Sequence, residues 1–320
     1  MSSPSHAHRR PPAAAILLVP LIAALILTLF AWPSARLEPR DLPVAVAGTG
    51  PQADAMATQL ESQGGSFDVR REPDEAAARA AIEDREVYGA FVAGASGAKV
   101  LTSSAASQMT SQMLTHAAAE QEATVEDVVP ASPHAAALGS SVLPLVIAGI
   151  LTGLAASMLA TGAAGRAGLV VTGAVLVGLT ATGIIQSWLG VVEGDWWANA
   201  GVLSLTVAAI AAAVAGAKAM FGPVAAALTG MTMVFLGNPF SGVASAPELL
   251  PEPAGGLGRL LPPGAGGNLL RSTGFFDGAA AGAPLAVLAA WATAGFALLA
   301  LAGLHRREGA PRSEAVAVAG

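Results

Sequence analysis

Apolar and polar positions along this chain fall into long blocks. An apolar run covers 13–32, a mostly polar segment covers 33–139, and apolar runs return at 140–162, 168–189, 198–217, 222–237 and 284–304. A helix needs roughly 20 apolar residues to cross the hydrocarbon core of a bilayer. The blocks therefore predict an α-helical integral membrane protein with six transmembrane helices, one before the polar insert and five after it. The first run reads as an uncleaved anchor. It is longer than the roughly 7–15 residues of a signal-peptide core, and Pro33 stands where a small cleavage-site residue belongs.

Within the insert the pattern shortens. Pro43–Gly48, Phe67–Arg71, Tyr88–Ala93 and Lys99–Thr102 have the composition of strands, with a turn at Gly94–Gly97. Pro51–Gln63, Asp74–Glu86 and Ala105–Glu122 have the periodicity of helices. The predicted order is βαβαββα, an α/β domain over 33–139. A second irregular stretch, 238–283, precedes the last span. There Leu257, Leu260 and Leu261, then Leu269, Leu270, Thr273 and Phe276, predict the apolar faces of two short helices broken at Pro262-Pro263-Gly264. Irregular backbone at membrane depth must lie against protein or water, so this segment is read as re-entrant or interfacial.

Composition agrees with the membrane reading: 53% of the 320 residues are hydrophobic and 12% charged. The net charge of −6 argues only against a basic surface for nucleic acid, no such partner being predicted, and the absence of cysteine removes disulfides and thiolate metal sites. Arginine and lysine supply an orientation, because short loops rich in them stay in the cytoplasm. One set of connections holds Arg9, Arg10, Arg166, Lys218, Arg306, Arg307 and Arg312; the other holds Glu193, Asp195, Glu248, Glu252 and Asp277, with Arg259 and Arg271 as its cations. This places the tails 1–12 and 306–320 on the cytoplasmic side of the membrane and puts 33–139, 189–197 and 238–283 outside.

Candidate chemistry is sparse. Gly149, Gly153, Ser157 and Thr161 recur every fourth residue, the spacing of a helix-packing seam or of one face of a conduit. Asn238 and Pro239 break the fifth span. The later spans hold no charge, and Gln186 is their strongest polar group, which argues against proton coupling. Arg259 and Arg271 are placed to contact lipid headgroups or to pair with Glu252 and Asp277. Glu83, Asp84, Glu86, Arg79 and Arg85 read as ion pairs on one solvated helix, and Trp196 and Trp197 as an interfacial anchor. The glycines at 255, 256, 258, 264, 266 and 267 read as loop flexibility, since no Gly-Lys-Ser/Thr follows them. The histidines, 6, 8, 116, 134 and 305, show no zinc spacing, and no GxSxG elbow is present, so neither enzyme activity, metal nor cofactor is predicted.

The phrases DLPVAVAG, AAIEDREVYGAFVAG, GNPFSG and LPPGAGGNLLRSTGFFDG, in a layout of one span, an insert and five spans, resemble the ABC-2 type permease fold. The resemblance is to its bacterial YhgE/Pip-like, DUF3533-related branch and covers positions 13–305. It implies a half-transporter that forms a homo- or heterodimer and exports a hydrophobic or amphipathic molecule. A separate cytoplasmic ATP-binding subunit would power it, as this chain has no Walker A sequence. An inner loop of only Thr161–Gly168 and the tail MSSPSHAHRRPP leave a motor little to grip. A non-transporting scaffold, surface receptor or secretion accessory of the same fold is the second class left open.

Overall fold

The computed structural model describes residues 13–94 and 97–308. The tails 1–12 and 309–320, with His6, His8, Arg9, Arg10 and Arg312, and the tip of the turn at 95–96 lie outside the described residues.

Five helices are long and apolar enough to cross a membrane: α1 (Ala13–Ala35), α5 (Ala137–Leu159), α6 (Gly162–Thr182, continued by a π segment Gly183–Trp188), α7 (Trp196–Phe221) and α11 (Gly282–Glu308). The expected span 222–237 is shorter than the others. It is α8 (Pro223–Thr232) followed by a π segment Met233–Gly237, and at 1.5 Å per residue it reaches roughly 22 Å, against about 30 Å of hydrocarbon.

Between α1 and α5 sits a three-layer α/β unit. Its strands are β1 (Leu42–Ala47), β2 (Phe67–Glu72), β3 (Gly89–Gly94), β4 (Gly97–Thr102) and β5 (Thr124–Asp127); its helices are α2 (Pro51–Glu61), α3 (Glu75–Glu83) and α4 (Gln108–Glu120). The sheet order is β2-β1-β3-β4-β5, antiparallel only between β3 and β4. Alternation along β1 explains the layers: Leu42, Val44 and Val46 pack with Ala57, Leu60, Leu114 and Ala118 of α2 and α4, while Ala45 and Ala47 pack with Ala78, Ala81 and Ile82 of α3.

The order is thus βαβαββαβ, and β5 corrects the sequence reading. Its four residues, TVED, are mostly exposed and carry too little apolar pattern to signal a strand; pairing with β4, Val100 opposite Val125, creates it. The helix expected to run to Glu86 stops at Glu83, because Arg85 turns into left-handed backbone at φ 59°. That turn removes Arg85 from the solvated face on which the sequence placed it.

Arg79 and Lys99 each reach both Glu75 and Glu126, at 2.6–2.8 Å, and so tie α3 to β4 and β5. Hydrogen bonds from Arg79 and then Lys99 hold the Glu126 carboxyl down at about 2, below the usual carboxylate range near 4.3. A depressed folded-state pKa stabilises above the unfolded value and is lost as pH falls through the folded one. Glu126→Gln is therefore expected to melt below the wild type at pH 6, with most of the gap gone by pH 2, and a gap at pH 2 as large as at pH 6 would refute the ion-pair account. The residues are partly exposed, so 0.5 M salt should shrink the gap.

The long connection between α8 and α11 folds into α9 (Ala254–Arg259) and α10 (Pro262–Phe275). The expected helical pair is present, but the break falls at Leu260-Leu261. Pro262 and Pro263 instead open α10, where their missing N–H groups leave no orphan donors. Leu269, Leu270 and Phe276 are buried as expected, whereas Leu257 and Leu260 are exposed. The glycines are not loose either. An added Cβ at Gly266 would sit 2.6 Å from Thr206 Cγ2, and at Gly255, Gly258, Gly264 and Gly267 it would strike Pro247, Phe240, Gly258 and Val243; only Gly256 faces open space.

Candidate functional site

The α/β unit is joined to the connection by polar contacts. The linker after α1 runs beside it, with the Glu38 and Arg40 amides donating to the carbonyls of Leu249 and Glu248 at 3.1 and 3.0 Å. Arg85 donates to the Asn268 carbonyl at 3.2 Å and to its Oδ1 at 2.6 Å, with its guanidinium 5.2 Å from the Phe276 ring centroid. Tyr88, the single tyrosine of the chain, donates its hydroxyl to Glu248 Oε2 at 2.8 Å, and Glu248 Oε1 meets Arg259 at 3.3 Å. Burial first, and then the Glu248 charge, push the Tyr88 phenol above its ordinary value, so it remains a donor at physiological pH. These groups border a cavity of about 120 Å³ lined by Arg85, Tyr88, Glu248 and Asn268 among others.

Sequence reasoning missed this junction. Arg85 and Asn268 are 183 positions apart and Tyr88 and Glu248 are 160 apart, so no local spacing connects them. The one available hint was Tyr88 itself, a single phenol immediately before the apolar strand β3.

Beneath the junction, Asn199 is fully buried (0% exposed) and completely paired. Its Nδ2 donates to Gln186 Oε1 at 3.0 Å and to the Glu193 carbonyl at 2.6 Å, and its Oδ1 accepts from the Thr273 hydroxyl at 2.6 Å. Gln186, the polar group singled out in the spans, therefore helps to lock α6, α7 and α10 together. Trp196 and Trp197 lie in the first turn of α7, not in a loop; their rings stand edge to face at 4.7 Å, with Trp197 exposed.

The helical bundle is closed at its centre. α7 is mostly buried between Val202 and Ala217 by α5, α6, α8, α10 and α11, and glycines on its neighbours bring the backbones together. A Cβ on Gly149 would meet Ile210 at 2.9 Å, on Gly153 the Ala211 carbonyl at 2.5 Å, and on Gly178 the Ser204 nitrogen at 2.6 Å. Without a hydrophobic drive between helices in lipid, this close packing is what holds such a bundle. Gly149 and Gly153 therefore pack against α7. Ser157 is half-buried and donates to the Gly153 carbonyl, while Thr161 is exposed beyond the helix, so the true seam continues through Ala156. Gly178, Gly216 and Gly295 belong to the same packing and were not read from the sequence, because no repeat within a single helix flags them.

Open space lies on the flank. A groove of about 480 Å³ runs between α5 and α6 in the half nearer the α/β unit, lined by Leu145, Ala148, Leu176, Ile184 and Leu189, with Ser140, Ser141 and Thr180 on its walls. The three hydroxyls donate to carbonyls of their own helices, leaving the groove essentially apolar. One wall is the π segment Gly183–Trp188, an irregularity that in α-helices is frequent at functional sites. The volume falls within the roughly 300–1,000 Å³ of small-molecule clefts.

The remaining predicted residues separate. Asn238 and Pro239 are half-buried where the second π segment ends; Arg259 pairs with Glu248, not Glu252, and is otherwise exposed. Arg271 is buried on α10 and donates to the Val243 carbonyl at 2.8 Å, with no ion pair to Asp277, which is exposed. Arg70, not Arg85, pairs with Glu86. Among the described residues no group of three His, Asp or Glu side chains is placed to hold a metal ion. Comparison with known proteins brings no relative to this chain: no family model, no curated protein and no solved structure matches it.

Proposed function

We propose that this chain is the membrane subunit of an export system for a hydrophobic or amphipathic molecule, of the ABC-2 permease type. In this reading six helices cross a bacterial cytoplasmic membrane, α8 and its π segment being the short crossing, with both termini inside and the α/β unit and α9–α10 outside. The supporting observation is the apolar groove between α5 and α6, open at the flank of a bundle whose centre is filled by α7. A molecule handled by this chain would then travel along the protein–lipid boundary or between two copies, not through one protomer. Mismatch between the short helix and the bilayer is met by local thinning or tilt.

A photo-crosslinking residue at Ala148, on the groove wall, is expected to capture an amphiphile that the same probe at Leu301, an exposed position on α11, does not. Equal capture at both would reduce the groove to ordinary lipid contact. Affinity purification in mild detergent is expected to bring down a nucleotide-binding subunit. The orientation is tested by Ser62→Cys, a clean site because Ser62 is exposed and the chain has no other cysteine. It should react with an impermeant maleimide from outside the cell.

One observation favours the second reading, a non-transporting scaffold or receptor. On the side of the bundle away from the α/β unit, α5 and α6 are joined by Ala160 and Thr161 alone, and α7 and α8 by Gly222 alone. The expected inner loop 161–168 is mostly the start of α6, and Arg166 lies within that helix, donating to the Ala160 carbonyl at 3.4 Å. Purification that yields only surface or secretion proteins would establish this reading over export.

A further inference from the structure

We propose that Arg271 and the N-terminus of α4 form a binding site for one oxyanion group of the phosphate or carboxylate class. Three observations meet at one place. Arg271 is 9% exposed, yet of its five N–H donors only Nη2 has a partner, the Val243 carbonyl. No carboxylate lies within 4 Å of it among the described residues, the nine ion pairs all involving other cations. Its remaining nitrogens are not sealed away, because no side-chain nitrogen or oxygen of the described residues is both buried and unpartnered.

Arg271 also lines a cavity of about 20 Å³, together with Ser104, Ala105, Gln108, Leu138 and Phe275 among others. Space of that size admits about one water-sized group, here a single anionic oxygen. Gln108 is the first residue of α4. Ser107 caps this 13-residue helix by accepting from the Thr110 amide at 3.1 Å, which leaves the amides of Gln108 and Met109 directed out of the helix end. Helix dipole and guanidinium thus act on the same point with the same sign. Ser104, on the cavity wall, is engaged with Asp127, through its amide at 3.0 Å and its hydroxyl at 2.5 Å.

The charge balance around the cavity agrees. Burial first, and then the nearby Arg85 charge, depress Arg271 to about 10, so it stays charged at neutral pH. Arg85 likewise has no carboxylate within 4 Å, and Glu248 is shared between Tyr88 and Arg259. A buried cation without a counter-charge is costly, and an oxyanion supplies one. The site lies where the α/β unit meets the connection, its lining shares no residue with the α5–α6 groove, and it stands independently of the export reading.

The test is thermal unfolding and calorimetric titration of the purified full chain with inorganic phosphate at constant ionic strength, repeated in nanodiscs of zwitterionic lipid with and without a phosphomonoester lipid. Saturable stabilisation by inorganic phosphate assigns a soluble anion; stabilisation only by the phosphomonoester lipid assigns a headgroup. Stabilisation by neither overturns the proposal. Arg271→Lys should retain weakened binding, and Arg271→Gln should lose it. Gln108→Glu, on a half-buried side chain, brings a negative charge to the cavity without touching the buried guanidinium. It should weaken the dissociation constant by roughly tenfold or more, about 1.4 kcal/mol or above, and unchanged binding in a folded Gln108→Glu protein overturns the proposal even if Arg271→Gln fails to fold.

Discussion

Gly295→Leu is expected to prevent the bundle from closing. A Cβ at Gly295 would stand 2.5 Å from the Ala213 backbone nitrogen and 2.6 Å from the Ala212 carbonyl oxygen, both on the rigid backbone of α7. No rotamer change can clear a backbone atom, so α11 has to move away from the helix with which it makes its largest contact. Across from it, Gly216 approaches the Gly295 carbonyl with equally little room. Overpacking usually costs about 1–3 kcal/mol. Here separation of two helices adds lost dispersion along their length, so several kcal/mol is expected, a large part of a typical total of about 5–15. The measurement is the monodisperse fraction and melting temperature in detergent. Gly201→Leu, on α7 itself but with nothing near its added Cβ, is the matched control and should melt within a few degrees of the wild type. Equal behaviour of the two variants would show that close approach at Gly295 does not hold the bundle.

Arg85→Ala is expected to loosen the α/β unit from the bundle while leaving each part folded. The substitution removes two hydrogen bonds to Asn268, one of them at 2.6 Å, and the stacking over Phe276. A hydrogen bond to a charged group is worth about 1.5–3 kcal/mol, and a partly desolvated cation–π contact about 0.5–2. Because the contacts are coupled, a combined loss of about 2–4 kcal/mol is expected. Hydrogen exchange should quicken across 84–88 and in α10, with protection of β1, β3 and α7 unchanged. Arg70→Ala, which breaks only an exposed pair with Glu86, should leave exchange unaltered, consistent with the roughly 0–1 kcal/mol of surface ion pairs. Unchanged exchange in Arg85→Ala would mean that the linkers, and not this contact, hold the unit in place.

These two variants also mark the limit of what could be read in advance. Elements with their own periodicity were legible: the long apolar helices, four of the five strands, and the helical pair of the connection. β5 was not, because TVED becomes a strand only through β4. The small-residue repeat on α5 was correctly suspicious at Gly149 and Gly153, but it was extended too far, to Thr161, and missed Gly178, Gly216 and Gly295 on other helices. A packing seam is a property of two surfaces, and one helix shows only half of it. The glycines between 255 and 267 misled for the same reason. Their lack of side chains reads as freedom in sequence and is close contact in the fold.

The candidate site follows the same division. Charge-poor spans and scattered cations could be seen directly, but their partners could not. Arg85 was assigned to a solvated helix because its neighbours are charged, and one residue of left-handed backbone sends it to Asn268 instead. Arg259 was offered Glu252 and took Glu248.

What the chain determines by itself is which segments are long and apolar enough to cross a membrane and which are polar, since that depends only on local composition and length. It likewise determines the α/β character of the insert, through strand alternation and helix period. Tertiary structure alone decided that α7 fills the centre, that open space lies at the α5–α6 flank, and that Arg271 is buried with most of its donors free beside the start of α4. Those outcomes depend on contacts between residues far apart in sequence, whose energies come from fitting surfaces together and so have no signature in either partner alone.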